Sequence, residues 1–370
     1  MTDAAEEGRR FPCAMCGAKL AYAPGTEVLA CAYCGHENRI AARGSVEELD
    51  YLAGLRDLAA TVPTEERRTV KCDACAASFE FDPKLHASAC PFCGSPIVVA
   101  PTLTRVFQPQ GVLPFQIAER DARAALKTWL GSRWFAPNSL ATAAEQNGSL
   151  SGLYVPFWTY DSQTATAYTG QRGDAYWVTQ TVTVNVNGKP QRQTRRVRKI
   201  RWTPVSGRVA RAFDDVLVVA SHSLPRRYVE ALAPWPLGAV KPYDAAWLAG
   251  YRAETYQVAL DDGFEDARHQ MDAVIRGDIR RDIGGDAQRI GHVDTRHANV
   301  TFKQVLLPVW MAAYRHGGKS YRFMVNAATG EVQGERPYSW VKIALAAAAA
   351  LVAAGILAMV YAGGGFEGLN

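Results

Sequence analysis

Hydrophobic and polar positions follow different periods in different parts of the chain. From Ser162 onward they alternate, first around Thr164 to Arg172 and then from Tyr176 to Val186, where valine and threonine take turns. A period of two is the mark of a half-buried strand. Asn187-Gly188 predicts a two-residue hairpin turn into a second strand that reaches Trp202. Three closing strands are expected near Val300 to Arg315, Tyr321 to Asn326 and Glu331 to Glu335. Helical spacing appears in Ile117 to Leu130, which stops at Gly131, and in Phe264, Met271, Val274, Ile275 and Ile279. Ser45 and Glu48 have the spacing of a capping box, for a helix carrying Leu49, Leu52, Leu55 and Leu58 and ending near Pro63.

The last segment has no period. Ile343 to Ala362 contains no charged residue, and none appears until Glu367. At about 1.5 Å per residue such a helix spans roughly 30 Å, the thickness of a bilayer core. Tyr338 and Trp340 stand at one edge and Tyr361 at the other, as interfacial aromatics do. Half of the segment is alanine, which weakens its preference for lipid. Lys319, Arg322, Arg336 and Lys342 precede it and only Glu367 follows. The positive-inside rule then predicts a single-pass protein of the cell membrane, with residues 1 to about 340 cytoplasmic and the tail 363–370 external. Met1 to Phe11 includes Asp3, Glu6, Glu7, Arg9 and Arg10 and no apolar run, which is not the pattern of a signal peptide.

Eight cysteines organise the N-terminal quarter. They form four CxxC pairs, Cys13/Cys16, Cys31/Cys34, Cys72/Cys75 and Cys90/Cys93, and the second set repeats the first 59 positions later. Fourteen residues separate the inner cysteines of each set. A CxxC turn aims two thiolates at one ion, and a second turn completes a tetrahedron. Gly17, Gly35 and Gly94 relieve the backbone after three of the pairs, while Ala76 occupies the fourth position. Short strands are expected at Lys19 to Tyr22 and Ser78 to Phe81. Two structural Zn2+ ions in closed tetrathiolate sites are therefore expected, with rubredoxin-type iron as the competing metal. Disulfides are disfavoured in a reducing cytoplasm. His36 follows a shell that is already full. Each ribbon is too small for a core of its own, so metal and the helix between them should supply its stability.

The predicted fold class is two small zinc ribbons, then an α+β domain with mostly antiparallel strands, then one C-terminal transmembrane helix. The boundaries are 9–42 for the first ribbon, 44–63 for the linker helix, 69–100 for the second ribbon, 104–337 for the α+β domain and 340–362 for the transmembrane helix.

With 370 residues, 48% of them hydrophobic and 21% charged, the composition is that of a folded protein. The formal charge of +5 hides a concentration. Lys189 to Arg211 holds nine Lys or Arg and no Asp or Glu, and removing it leaves 32 basic against 36 acidic residues. Arg192, Arg195, Arg196, Arg198, Lys199 and Arg201 would project to both faces of a ribbon, with Trp177 and Trp202 nearby. Anionic lipid and simple edge protection suit this pattern about equally, and nucleic acid ranks behind them.

Signals for catalysis are weak. Gly318-Lys319-Ser320 resembles the end of a phosphate loop, but Ala313 stands where its first glycine is needed. His292, Asp294 and His297 could ligate a metal, though no further ligands accompany them. Asp214-Asp215 with His222 suits a turn better than a reaction. The expectation is a protein that is not an enzyme.

Three further stretches carry a resemblance: Leu153-Tyr154-Val155-Pro156-Phe157-Trp158-Thr159-Tyr160-Asp161, Thr169-Gly170-Gln171-Arg172-Gly173-Asp174 and Trp202-Thr203-Pro204-Val205-Ser206-Gly207. With the double ribbons, and with Thr329-Gly330-Glu331 and Gly334-Glu335-Arg336-Pro337-Tyr338-Ser339 leading into the last helix, the chain resembles a bacterial family of membrane-anchored double zinc-ribbon proteins, the YdjG-like group. Members carry TFIIB-type zinc-ribbon or primosomal-helicase-like labels. The helicase label fails here, because neither a Walker A nor an acidic Walker B motif is present. The resemblance implies a role in membrane stress or organisation, recruiting PspA-type or SPFH (flotillin-like) proteins. A membrane-tethered nucleic-acid-binding ribbon protein is the alternative. Only Lys19 is basic between Cys16 and Cys31, and only Lys84 between Cys75 and Cys90, which favours protein partners.

Overall fold

The computed structural model describes residues 11–40, 44–57, 64–72, 78–80, 87–90, 96–98, 102–135, 137, 150–186, 189–316, 319–335 and 338–362. The N-terminal part contains β1 (Leu20–Tyr22), β2 (Val28–Cys31), β3 (Glu37–Arg39), β4 (Leu49–Asp50), α1 (Tyr51–Asp57), β5 (Thr64–Lys71), β6 (Ser78–Glu80), β7 (Ala87–Ala89), β8 (Pro96–Val98) and β9 (Thr102–Phe107). The rest contains β10 (Gly111–Val112), α2 (Glu119–Gly131), β11 (Ser151–Val186), β12 (Lys189–Val219), α3 (Arg226–Glu230), β13 (Lys241–Pro242), β14 (Arg252–Ala253), α4 (Leu260–Ile283), β15 (Ala287–His316), β16 (Lys319–Asn326), β17 (Val332–Gly334) and α5 (Trp340–Ala362).

One large sheet organises the molecule, in the order β12-β11-β15-β10-β13, with β16 and β17 continuing from β15. Its pairs are antiparallel except β10–β15 and β11–β14. Stretches that read as separate strands are continuous here: β11 runs 36 residues and β12 runs 31. The Asn187-Gly188 turn lies outside the described residues, but Val186 pairs with Lys189 on either side of it.

The centre of β11 is buried on both faces, from Leu153 to Tyr160. Three of its aromatic side chains carry a polar atom, and each finds a carbonyl. Tyr154 donates to Trp247 O (3.1 Å), Trp158 Nε1 to Val258 O (3.0 Å) and Tyr160 to Leu260 O (2.7 Å). A buried ring with a satisfied tip loses no hydrogen bond on leaving water. A bulge follows between Tyr160 and Ser162. Here Asp161 accepts from the backbone N–H of Asp215 (2.7 Å), a residue held at φ 53°.

Past the bulge, α4 covers one face of the three long strands. Its stripe of Leu260, Phe264, Ala267, Met271, Ile275, Ile279 and Ile283 is buried, the spacing of a helix that packs along one side. Val274, which the sequence places on this stripe, is exposed instead. It falls one position from Ile275 and so turns about 100° away from the sheet. On β11, Thr164, Thr166 and Tyr168 face α4, while Gln163, Ala165, Ala167 and Thr169 face solvent. Arg211 of β12 clasps Asp278 of α4 with two bonds (2.5 and 2.7 Å).

Close packing at Gly263 gives one prediction. A Cβ there would overlap the Tyr160 hydroxyl and lie 2.9 Å from Trp158 Cδ1. Gly263→Ala should lower stability by about 1–3 kcal/mol, read as a lower urea midpoint. Gly277→Ala, on the same helix with nothing within 4 Å, should leave stability unchanged or raise it by up to about 1 kcal/mol.

The predicted capping box does not form. Leu49–Asp50 pairs as a strand with Thr301 and Phe302, and the helix starts only at Tyr51. Asp50 Oδ1 accepts from Ala53 N (2.7 Å), while the Glu48 carboxylate is taken by Lys303 (2.9 Å) and Thr301 (3.1 Å). The charged partner on β15 outcompetes a backbone cap. Leu52 is exposed, and Leu58 and Pro63 lie outside the described residues.

Candidate metal centre

Cys13, Cys16, Cys31 and Cys34 come together at the end of the three-stranded sheet β1-β2-β3, their sulfurs all within 4.8 Å of one another. Cys13 Sγ lies 3.5 Å from Cys34 Sγ, and Cys16 Sγ 3.5 Å from Cys31 Sγ. A Zn–S bond of about 2.3 Å gives a tetrahedral edge of about 3.8 Å, so the set matches one ion.

Both CxxC turns are built alike. Gly17 N–H donates to Cys13 O (2.8 Å) and Gly35 N–H to Cys31 O (3.0 Å). The two glycines sit at φ 71° and 72°, a region costly for a residue with a Cβ. Backbone N–H groups point at the sulfurs. Those of Cys34 and Tyr33 push the Cys31 thiol down to about 6 against the effect of burial. At Cys16 the N–H of Ala18 favours the thiolate, yet the bonds shared with the Cys31 and Cys34 sulfurs push that thiol up to about 12. The donor chemistry suits a thiophilic cation that would take all four sulfurs as thiolates.

Leu20, Tyr22, Leu29 and Ile40 belong to one buried cluster with Val112, Phe115, Trp247 and Trp310. Tyr22 N–H donates to Ala249 O (2.9 Å), Gly25 N–H to Phe115 O (2.8 Å), and the Tyr22 ring meets Trp247 edge-on at 5.2 Å. Lys241 reaches Glu27 (3.0 Å). The expectation that metal and the neighbouring helix alone hold this segment is therefore incomplete: the large sheet supplies its core.

In the second set, Cys72 and Cys90 are both buried and share an apolar cluster with Val70. Cys75 and Cys93 lie outside the described residues, as do Ala76 and Gly94. The segment's strands are β5, which pairs with β6 and β9, and the hairpin β7–β8.

The weaker metal candidates come apart. His297 faces α4, bonded to Ser162 Oγ (3.1 Å) and set edge-on to Phe264, while His292 and Asp294 are exposed on β15. Glu48, Asp161 and Asp214 do gather, but Lys303 lies among these acids, 2.9 Å from Glu48 and 2.7 Å from Asp215. Burial, opposed by the Asp215 N–H and reinforced by Glu48, pushes Asp161 up to about 6. Lys303 thus occupies the place a cation would take among these acids. Glu254 is buried and pushed up to about 8, bonded by the Ser221 and Ser223 hydroxyls and by Gln257 Nε2 (2.8 Å). It ties the loop after β12 to the segment after β14.

The basic residues occupy an arm. β15 begins at Ala287, opposite Gly173, and beyond that level β11 and β12 continue as a pair for thirteen residues, roughly 44 Å. The register sets Arg195, Lys199 and Arg201 on one face and Arg192, Arg196 and Arg198 on the other. All six are exposed. Arg196 lies over Trp177 (5.6 Å) and Arg201 over Tyr176 (5.3 Å), and Arg198 reaches Asp286 (3.3 Å). Sequence reasoning passed over Met15 and Tyr33, the exposed residues just before the second cysteine of each turn in the first set. That position, which a CxxC turn lifts outward, was the available signal.

No protein-family model matches the chain, and no solved structure matches it. Among curated proteins it is similar to the uncharacterized protein YdjG of Bacillus subtilis (strain 168), 26% identical over 345 residues that cover 90% of this chain and 92% of that protein.

Proposed function

We propose that this chain is a non-enzymatic scaffold of the cell membrane, anchored by α5 with its bulk in the cytoplasm, that recruits partner proteins. In this reading Cys13, Cys16, Cys31 and Cys34 hold one structural zinc ion and Cys72, Cys75, Cys90 and Cys93 hold a second, as two zinc ribbons. The observation that carries the docking role is the arm. Among the described residues it projects without a third strand; it holds seven Lys or Arg and no acid between Ala175 and Arg201, and exposes Tyr176, Trp177, Val182 and Ile200. Arginine mixed with large rings is the composition of interface hot spots.

Sheet topology supports a partner away from the bilayer. α5 follows β17, which pairs with β16 at the His316 end of β15, whereas the arm continues from the Ala287 end. The resemblance makes PspA-type or SPFH proteins the first partners to try. One observation favours the alternative, a membrane-tethered nucleic-acid binder: charge on both faces suits a ribbon lying in a duplex groove.

The test replaces Arg195, Arg196, Arg198 and Lys199 with Gln in the full-length chain. Proteins that co-purify from gently solubilised membranes should be lost from the variant, with its metal content and membrane fraction unchanged. Identical co-purification would remove the arm from the docking role. Tight binding of a DNA duplex, with affinity falling steeply as salt rises and lost in the variant, would reverse the two readings. Binding to anionic vesicles alone would return the arm to lipid.

A further inference from the structure

The sequence marks α5, its aromatic edge and the basic stretch as candidates for touching lipid. The structure brings a second pair to the same place. α2 ends at Gly131, and the turn after it is held by Ser132 N–H to Thr128 O (3.1 Å), Arg133 N–H to Leu130 O (3.1 Å) and Ser132 Oγ to Trp129 O (2.7 Å). Trp134 and Phe135 follow, 65% and 40% exposed, their rings 5.5 Å apart. Phe135 O accepts from Ser339 N–H (2.8 Å), one residue before α5 begins. Tyr338 and Trp340, 61% and 77% exposed, flank that bond. Four exposed aromatic residues, from segments two hundred positions apart, thus gather where an apolar helix leaves the body.

Resting on the reading of α5 as a membrane anchor, we propose that Trp134 and Phe135 insert into the interfacial layer of the same bilayer beside Tyr338 and Trp340. They form a second membrane contact and fix how the body stands on the membrane. Three observations commit the pair to lipid. First, it is continuous with the start of α5, so a helix that crosses the bilayer carries the pair to headgroup level. Second, Trp134 has the chemistry of the interface, a large ring with a polar edge, as Tyr338 and Trp340 do, and Phe135 adds an apolar ring beside it. Third, the pair is carried by a packed helix and tied to the anchor. Leu126 and Leu130 of α2 are buried, the Trp129 ring packs edge-on to Phe323 of β16 at 5.6 Å, and Phe135 O holds Ser339 N–H. A body joined to its anchor by one segment could swing. With two contacts it stands at one angle.

Tryptophan emission of the full-length protein in vesicles of uncharged phosphatidylcholine tests this, comparing ordinary lipid with lipid brominated near the headgroup end of its chains. Subtracting the spectrum of Trp134→Phe isolates the Trp134 signal, and Trp340→Phe isolates that of Trp340. Both signals should lose most of their intensity in brominated lipid, while the Trp177 signal, from Trp177→Phe, keeps its own. A Trp340 signal that is quenched beside a Trp134 signal that is not would overturn the second contact and leave the anchor standing, with the pair covered by protein instead. If neither is quenched, the anchor reading falls and this inference falls with it.

Discussion

Full-length protein purified in mild detergent should carry two zinc ions per chain and be colourless, and Cys13→Ser with Cys16→Ser should reduce the count to one. Apparent binding energies of structural zinc in small peptides are about 10–16 kcal/mol, as large as the whole stability of a domain at about 5–15 kcal/mol. A site that loses two of four thiolates cannot hold a closed tetrahedron. The damage should also spread, because Tyr22 and Leu29 share a core with Phe115 and Trp247. Loss of the first metal is therefore expected to lower the melting temperature of the large sheet as well. Replacing Cys72 and Cys75 with Ser should likewise remove one ion. Metal counting by mass spectrometry, followed by thermal unfolding, checks both statements. Strong visible absorbance from iron in protein made under balanced metal supply would replace zinc, and no metal at all would overturn the centre.

The second large effect concerns α5. It is the described helix long and apolar enough to cross a membrane, and none of Trp340–Met359 is buried inside the body. Ile343, Leu345, Leu351, Val352, Ile356, Leu357 and Val360 each favour insertion by about 0.3–0.6 kcal/mol, together roughly 2–4 kcal/mol, with alanine adding little. One arginine at the centre costs about 2.5–3.5 kcal/mol, enough to cancel that sum. Leu351→Arg should therefore shift the protein from the membrane to the soluble or aggregated fraction, while Leu351→Ile should not. A reporter after Asn370 should read as external and one before Met1 as cytoplasmic. A wild-type chain recovered in the soluble fraction, or a Leu351→Arg chain that still resists extraction from membranes, would remove the anchor.

Much of the chain was legible from local pattern, because local physics decides it. The helix ending at Gly131 and the Leu260–Ile283 stripe follow from a period that backbone geometry imposes. The four-cysteine cluster was visible because a CxxC turn is a local structure and two of them suffice to enclose an ion. The split of the basic residues between two faces was also readable, since a strand alternates whatever surrounds it. The failures lie where a distant group competes with a near one. Glu48 has the spacing of a cap, but Lys303, some two hundred and fifty positions away, offers a full charge. Val274 counts as apolar in any window, yet only the seating of α4 on the sheet tells it from Ile275.

What the sequence alone determined is the set of parts: cysteine turns, alternating strand segments, an uncharged apolar helix and a concentrated basic stretch. Tertiary structure decided how they are joined. Antiparallel pairing of β11 with β15 ends at Gly173, and that end point makes the basic stretch an arm. Packing of Tyr22 on Trp247 merges the four-cysteine segment with the core beneath the large sheet. One backbone hydrogen bond from Ser339 to Phe135 brings a turn after α2 to the foot of α5. Each of these joins residues a hundred or more positions apart, or depends on where a distant strand stops. Propensity and periodicity act within a few turns of chain, so they carry no term for such contacts. The contacts are set by which surfaces bury most apolar area once the whole chain has collapsed.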